Sequence, residues 1–191
     1  MPRYAAVLDA CVLVPVALAD TLLRVAEKGL YRPLWSERIL AEAQAATEEI
    51  HPGISVDKRY ADMREAFADA LVTGWEPLER AVTLPDADDR HVLAAAIHAG
   101  TQAIVTFNLR DFPARELGQH DLEAVHPDAF LLDQLDLSPP TILRAITEQA
   151  AHATRPSLAP SELLLLLARA GVPGFADQIQ RLMDRPLGNA T

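Results

Sequence analysis

Two short runs constrain the fold most. YAAVL (residues 4–8) and QAIVTF (102–107) are apolar at almost every consecutive position instead of at alternate ones. Successive side chains of a strand point to opposite faces, so a strand apolar throughout must be covered on both. Helical patterns lie around these runs. Residues 15–28 place Val16, Leu18, Leu22, Leu23, Val25 and Ala26 at helical spacing, with Pro15 in the first turn and Gly29 as the stop. Ser36 reads as the N-cap of a helix through about Glu49, closed by His51-Pro52-Gly53. Another helix is expected from Val56 to Leu71, with Met63, Phe67 and Leu71 on one face. Residues 30–35 read as a connector with a short extended piece, and 81–89 as a strand-to-loop transition. Asp88 or Asp89 opens a helix closed by Gly100, and 122–127 reads as a last strand. Such alternation predicts a central parallel sheet with helices on both faces, a three-layer α/β/α fold.

The pattern changes near Ala129. LDLSPPTILRAI, SLAPSELLLLLARAG and FADQIQRLM are helical pieces separated by Pro and Gly, with no strand signal. The expected organisation is an α/β domain over residues 1–130 and a helical C-terminal extension over 131–191. Most of the acidic excess lies in the first part.

Charge then limits the function classes. With 17 Lys+Arg against 27 Asp+Glu, the formal net charge is −10. Phosphate affinity comes from neutralising contacts, so a chain this acidic engages nucleic acid only through a local basic rim, a bound metal or a partner. The single cysteine, Cys11, excludes an internal disulfide and a cysteine-based zinc cluster, and suits a reducing cytoplasm. The N-terminal stretch has an early Arg3 and an Ala17-Leu18-Ala19 resembling a signal cleavage site, but Asp9 and Pro15 interrupt its apolar region. No apolar run approaches the 18 or so residues of a membrane span.

In a parallel α/β sheet, ligands bind outside the carboxyl ends of the strands. Asp9 ends the first expected strand, Asn108 and Asp111 follow the 102–107 strand, and Asp89 opens the helix before it. Two carboxylates ~4 Å apart repel by about 4 kcal/mol at an effective dielectric of 20, so such a group needs a counter-ion. Oxygen donors without cysteine suit hard ions, Mg²⁺ or Mn²⁺. A divalent ion held by acids at an open edge is equipment for phosphodiester hydrolysis by metal-activated water. Each residue also has a plain structural use. Asp9 can end a strand in a turn, Asp88 or Asp89 can cap a helix, and Asn108 with Asp111 can form an Asx turn. Their convergence at one end of one sheet favours metal binding.

VLDACVL (7–13), WSERILAEA (35–43), DADDRHVLAAAIHAG (86–100) and VTFNLRDFP (105–113) occur in the order found in PIN-domain ribonucleases, and the chain resembles that family over roughly residues 4–130. The family includes the toxins of bacterial VapBC toxin–antitoxin pairs. The resemblance implies that Asp9, Glu42, Asp89 and Asp111 are the catalytic metal ligands for Mg²⁺ or Mn²⁺, with Asn108 orienting Asp9. Periodicity alone does not separate Glu42 from Glu37, Glu48 and Glu49; the resemblance selects it. Asp88 is the alternative to Asp89, or shares the ion with it.

Arg90 and Arg110 flank the candidate ligands, either to hold RNA phosphates or to balance the acids. Thr106 contributes a hydroxyl at the strand end or satisfies local backbone. His91 and His98 share a helix face and read as packing residues, since zinc is improbable without cysteines nearby. Cys11 reads as a small core residue, and Tyr31 with Trp35 are too few for a base-stacking platform.

The resemblance therefore implies a Mg²⁺- or Mn²⁺-dependent ribonuclease, the toxin of a toxin–antitoxin pair, leaving a 5′-phosphate and a 3′-hydroxyl. Its expected partners are RNA, with tRNA or other small structured RNA as the family-level candidate, and a cognate antitoxin. The helical extension would serve antitoxin binding, dimerisation or substrate choice. Two rivals stand beside this reading. One is a catalytically silent PIN-like module that binds protein or RNA. The other is a phosphatase with Asp9 as nucleophile, disfavoured because Cys11 occupies the place of its usual second aspartate.

Overall fold

The computed structural model describes residues 4–152 and 158–184. The described residues divide into two compact units, one of residues 4–16 and 29–126, the other of residues 17–28, 127–152 and 158–184.

The first unit holds four parallel strands, β1 (Ala5–Leu8), β2 (Arg32–Leu34), β3 (Ala103–Val105) and β4 (Glu123–Val125), in the order β2-β1-β3-β4. Every residue of β1 and β3 is buried, whichever face it points to. Both faces of the sheet centre are therefore covered, and the α/β expectation holds. The chain passes from β1 to β2 on one side and then to β3 on the other. That puts a topological switch between β1 and β3, where α/β sheets open a crevice at the carboxyl edge.

Short helix α1 (Ala10–Leu13) follows β1, and α2 (Val16–Glu27) follows it. In α3 (Glu37–Ile50) the Ser36 hydroxyl accepts the Ile39 N–H at 3.2 Å, as an N-cap should. The expected helix from Val56 to Leu71 is shorter: α4 covers Asp57–Ala66, and one 3₁₀ turn follows at Ala68–Ala70. Phe67 leaves the helical region (φ −125°, ψ 53°), and the chain runs beside Trp35, whose N–H and carbonyl bond Ala70 and Val72. Leu71 forms a lone parallel bridge with Trp35 and its side chain is exposed, so it does not share the buried face of Met63 and Phe67.

After α5 (Glu76–Glu79), residues 81–89 form no strand. Val82 and Leu84 are buried between exposed neighbours, a strand-like alternation without a strand to pair with. Helix α6 (Arg90–Ala99) ends as expected at Gly100, whose φ of 60° suits a residue without Cβ. A 3₁₀ turn at Leu109–Asp111 and α7 (Ala114–Leu117) join β3 to β4.

Among the described residues the second unit holds helices and no strand. Its later helices are α8 (Pro127–Leu137), α9 (Pro139–His152), α10 (Pro160–Arg169) and α11 (Pro173–Asp184). Each opens on a proline, whose missing N–H and fixed φ suit the first helical position. The Ala17–Lys28 segment joins them through polar ties. Thr21 donates to Gln149 Oε1 at 2.7 Å, Gln149 donates to the Ala17 carbonyl at 2.9 Å, and Lys28 pairs with Glu148. Among the described residues no helix is long and apolar enough to cross a membrane.

At the start of α11 the Asp128 carboxylate accepts the N–H groups of Gly174 and Phe175 at 3.1 and 2.8 Å. A Cβ on residue 174 would stand 2.7 Å from Asp128 Oδ2. Gly174→Ala should therefore displace this cap and cost about 1–2 kcal/mol. Thermal melting should show a drop of about 2–4 °C per kcal/mol; an unchanged midpoint would mean Asp128 gives way freely.

Candidate active site

Asp9 follows the last residue of β1, and its N–H bonds the Val105 carbonyl at 3.1 Å, continuing the ladder to β3. Its backbone is extended, and its Oδ1 caps α1 by accepting the Ala10 N–H at 2.6 Å. Oδ2 accepts the Thr106 hydroxyl at 2.7 Å and the Cys11 thiol at 3.2 Å. The carboxylate is only 4% exposed, so these bonds fix it.

The residues after β3 close around it. The Phe107 N–H points at Cys11 Sγ at 3.4 Å, and the Asn108 N–H donates to Thr106 Oγ1 at 3.0 Å. The group orienting Asp9 is thus Thr106, not the expected Asn108 side chain. Asn108 acts one step back through its backbone, and its own side chain is exposed. Cys11 departs from a plain core residue, since its sulfur meets Asp9 and Thr106. Burial first, then the charge of Asp9, pushes its thiol up to about 12, so it stays protonated and donates.

Asp89 occupies the N-cap position of α6, yet its backbone is helical and its side chain makes no capping bond. The carboxyl is pushed up to about 6, first by burial and then by the charges of Asp9, Asp86 and Asp111, with His91 opposing. Those causes place Asp89 in one electrostatic cluster with the other acids. Asp88 is exposed and its N–H donates to Asp86 Oδ1 at 2.9 Å, in an Asx turn. Of the three aspartates in 86–89, Asp88 thus lies in an exposed turn, while Asp86 adds its charge to that of Asp9 and Asp111 at Asp89.

Asp111 sits in the 3₁₀ turn after β3, with a side chain 20% exposed, 3.6 Å from Arg110 Nε. Arg110 itself is 90% exposed. Arg90 is half-buried, and its Nε meets no acceptor among the described residues. Leu109 and Phe112, on either side of Arg110 and Asp111, border a cavity of about 370 Å³ with Ala114, Leu122, Glu123 and Ala124; none of the acidic candidates lines it.

Glu42, on α3, accepts Arg38 Nε on one oxygen and His91 Nε2 on the other, each at 3.0 Å. Partial burial alone would raise its carboxyl, but the His91 and Arg38 bonds and charges outweigh that and hold it below the usual range. Neither Arg38 nor His91 was singled out from sequence as a partner of Glu42. The i, i+4 spacing of Arg38 and Glu42 was the legible signal.

Among the described residues, no three His, Cys, Asp or Glu side chains stand close enough to hold an ion. The donor chemistry nonetheless fits a hard divalent cation, because Asp9, Asp89 and Asp111 are oxygen donors whose mutual repulsion such an ion relieves.

Residues 5–110, more than half of the chain, match the PIN domain family, and residues 127–181 match the VapC50 C-terminal domain family. The chain is similar to "Putative ribonuclease VapC50" of Mycobacterium tuberculosis, with 43% identity over 94 residues, 49% of this chain and 55% of that protein. It thus spans about half the length of the curated relative it matches. No solved structure is a significant match. The switch-point sheet, the acids at its carboxyl edge and these matches lead to one assignment: the chain belongs to the PIN-domain family, as a VapC-like member with a helical C-terminal extension.

Proposed function

We propose that this protein is a Mg²⁺- or Mn²⁺-dependent ribonuclease, and the toxin of a toxin–antitoxin pair. The observation that carries the reading is the gathering of Asp9, Asp89 and Asp111 at the strand switch, where their like charges and burial push the Asp89 carboxyl upward. The ribonuclease name of the similar mycobacterial protein supports the same class.

Asp9, Glu42, Asp89 and Asp111 would hold the ion. When bound, it would supply an activated water and stabilise charge developing on phosphate oxygens. Thr106 fixes Asp9 in its rotamer, so the principal ligand needs no reordering. Arg110, exposed at the rim, offers its guanidinium to an RNA phosphate, and Arg90 lies one residue from Asp89 for the same purpose. The products would be a 5′-phosphate and a 3′-hydroxyl. The nuclease chemistry would belong to the α/β unit, which carries all four of these acids. The helices of 131–191 would serve a cognate antitoxin, a second copy or the choice of RNA, in the cytoplasm.

The pairing of both Glu42 oxygens with Arg38 and His91 supports one other reading, a PIN-like module that binds protein or RNA without cutting. One assay divides them. Purified protein is incubated with mixed small RNAs, tRNA included, in Mn²⁺, in Mg²⁺ and in EDTA. Cleavage with either metal, abolished by EDTA and leaving 5′-phosphate ends, is the expected result. If no RNA is cut and calorimetry shows no Mn²⁺ binding, the binding-module reading replaces the nuclease.

A further inference from the structure

His91 is 1% exposed and lies on the first turn of α6, two residues after Asp89. Its Nε2 meets Glu42 Oε2 at 3.0 Å, across 49 residues of sequence. A carboxylate only accepts, so Nε2 carries a hydrogen and donates it. The other ring nitrogen, Nδ1, is buried and finds no hydrogen-bond partner among the described residues. Buried polar atoms are normally satisfied, so this ring is aimed at one acceptor at the expense of its other side. Trp75 packs against the imidazole, with ring centroids 5.9 Å apart, and steadies that orientation.

Arg38 completes the clamp. Its Nε bonds the other oxygen of Glu42 at 3.0 Å, and its Nη1 is tied to Glu79 Oε1 at 2.8 Å. The Glu42 side chain is still 41% exposed, and each oxygen keeps a second lone-pair direction. The carboxylate is therefore held in orientation without being used up.

We propose that His91 is a positioning residue that presents Glu42 as an ion ligand, with Arg38 as the second arm of the clamp. The inference rests on the reading of Glu42 as a metal ligand. One turn of α6 then supplies both Asp89 and the donor that sets Glu42, so two acids from distant segments are aligned by one rigid element. Hydrogen-bonding partners of ligating side chains commonly matter 10–100-fold in metal affinity.

The test is calorimetric titration of the full chain with MnCl₂, for wild type, His91→Leu, His91→Gln and Glu42→Gln, alongside melting in EDTA. His91→Leu removes the donor at similar volume and should weaken Mn²⁺ binding by about 10–100-fold. His91→Gln, whose amide N–H reaches as far as Nε2, should restore most of that loss. Equal losses in the Leu and Gln variants, or none in Leu, overturn the proposal. Should the Leu variant not fold, the wild-type His91 Nε2–H proton resonance decides. It should shift on Mg²⁺ saturation, and a fixed resonance overturns the proposal. If Glu42→Gln binds Mn²⁺ like wild type, this inference falls while the nuclease reading stands. A wild type that binds no Mn²⁺ overturns both.

Discussion

Asp9→Asn should yield a folded protein whose RNA cleavage is at least about 10³-fold slower, a loss of about 4 kcal/mol in transition-state stabilisation. The substitution is close to isosteric, and the surroundings of Asp9 show why it isolates charge from structure. The amide oxygen can keep the Ala10 N–H now held at 2.6 Å, and asparagine is itself a good N-cap. The amide nitrogen would face Thr106, whose hydroxyl now donates at 2.7 Å and can turn to accept. What disappears is the negative charge on a side chain only 4% exposed at the strand switch. The measurement is the cleavage rate in Mn²⁺ beside thermal melting of both proteins. A melting temperature near wild type with cleavage lost would assign Asp9 to the chemistry; equal cleavage by the two proteins would remove it.

Asp89→Asn should do two things of opposite sign. Without divalent ion it should raise stability at pH 7.5, and with Mn²⁺ it should cost more than about 100-fold in affinity, beyond what loss of a supporting bond costs. Burial, then Asp9, Asp86 and Asp111, pushes the folded Asp89 carboxyl up to about 6. An unfolded aspartate titrates near 3.9. Between about pH 4 and 6 the folded chain therefore holds a proton the unfolded chain has lost, and stability falls as pH rises through that window. The side chain is only partly buried, so screening reduces the effect to about 1 kcal/mol, or about 2–4 °C in a chain of this size. The asparagine variant should show that gain in EDTA at pH 7.5 and a flatter pH 4–6 profile. It loses no cap, because the Asp89 side chain makes none. Lower stability with unchanged Mn²⁺ affinity would assign Asp89 a structural role instead.

What could be read in the sequence was what local chemistry decides. The unbroken apolar runs marked β1 and β3, Ser36 marked the start of α3, Gly100 the end of α6, and prolines the later helices. The places of Asp9 and Asp89 in the fold were legible because strand ends and helix starts reveal which edge of a sheet a residue occupies. The misplaced features depend on partners distant in sequence. The end of α4 is set where Phe67 turns the chain to pair beside Trp35, which no periodicity within 56–71 encodes. Val82 and Leu84 alternate like a strand but find no neighbour to pair with. The Glu42–His91 contact joins two helices, so each residue separately looked like surface charge or packing. Thr106 was placed near the site, yet only the structure identifies it as the group that holds Asp9.

The polar tie between Thr21 and Gln149 spans 128 residues of chain. During synthesis at about 5–20 residues per second, the Ala17–Lys28 segment leaves the ribosome roughly 6–26 s before that partner exists. Its apolar residues Leu18, Leu22 and Val25, buried in the finished protein, have no unit of their own to enter in that interval. Nascent chains halted before α9 should accordingly be caught by chaperones at this early helix, and be released once residues through 150 have emerged.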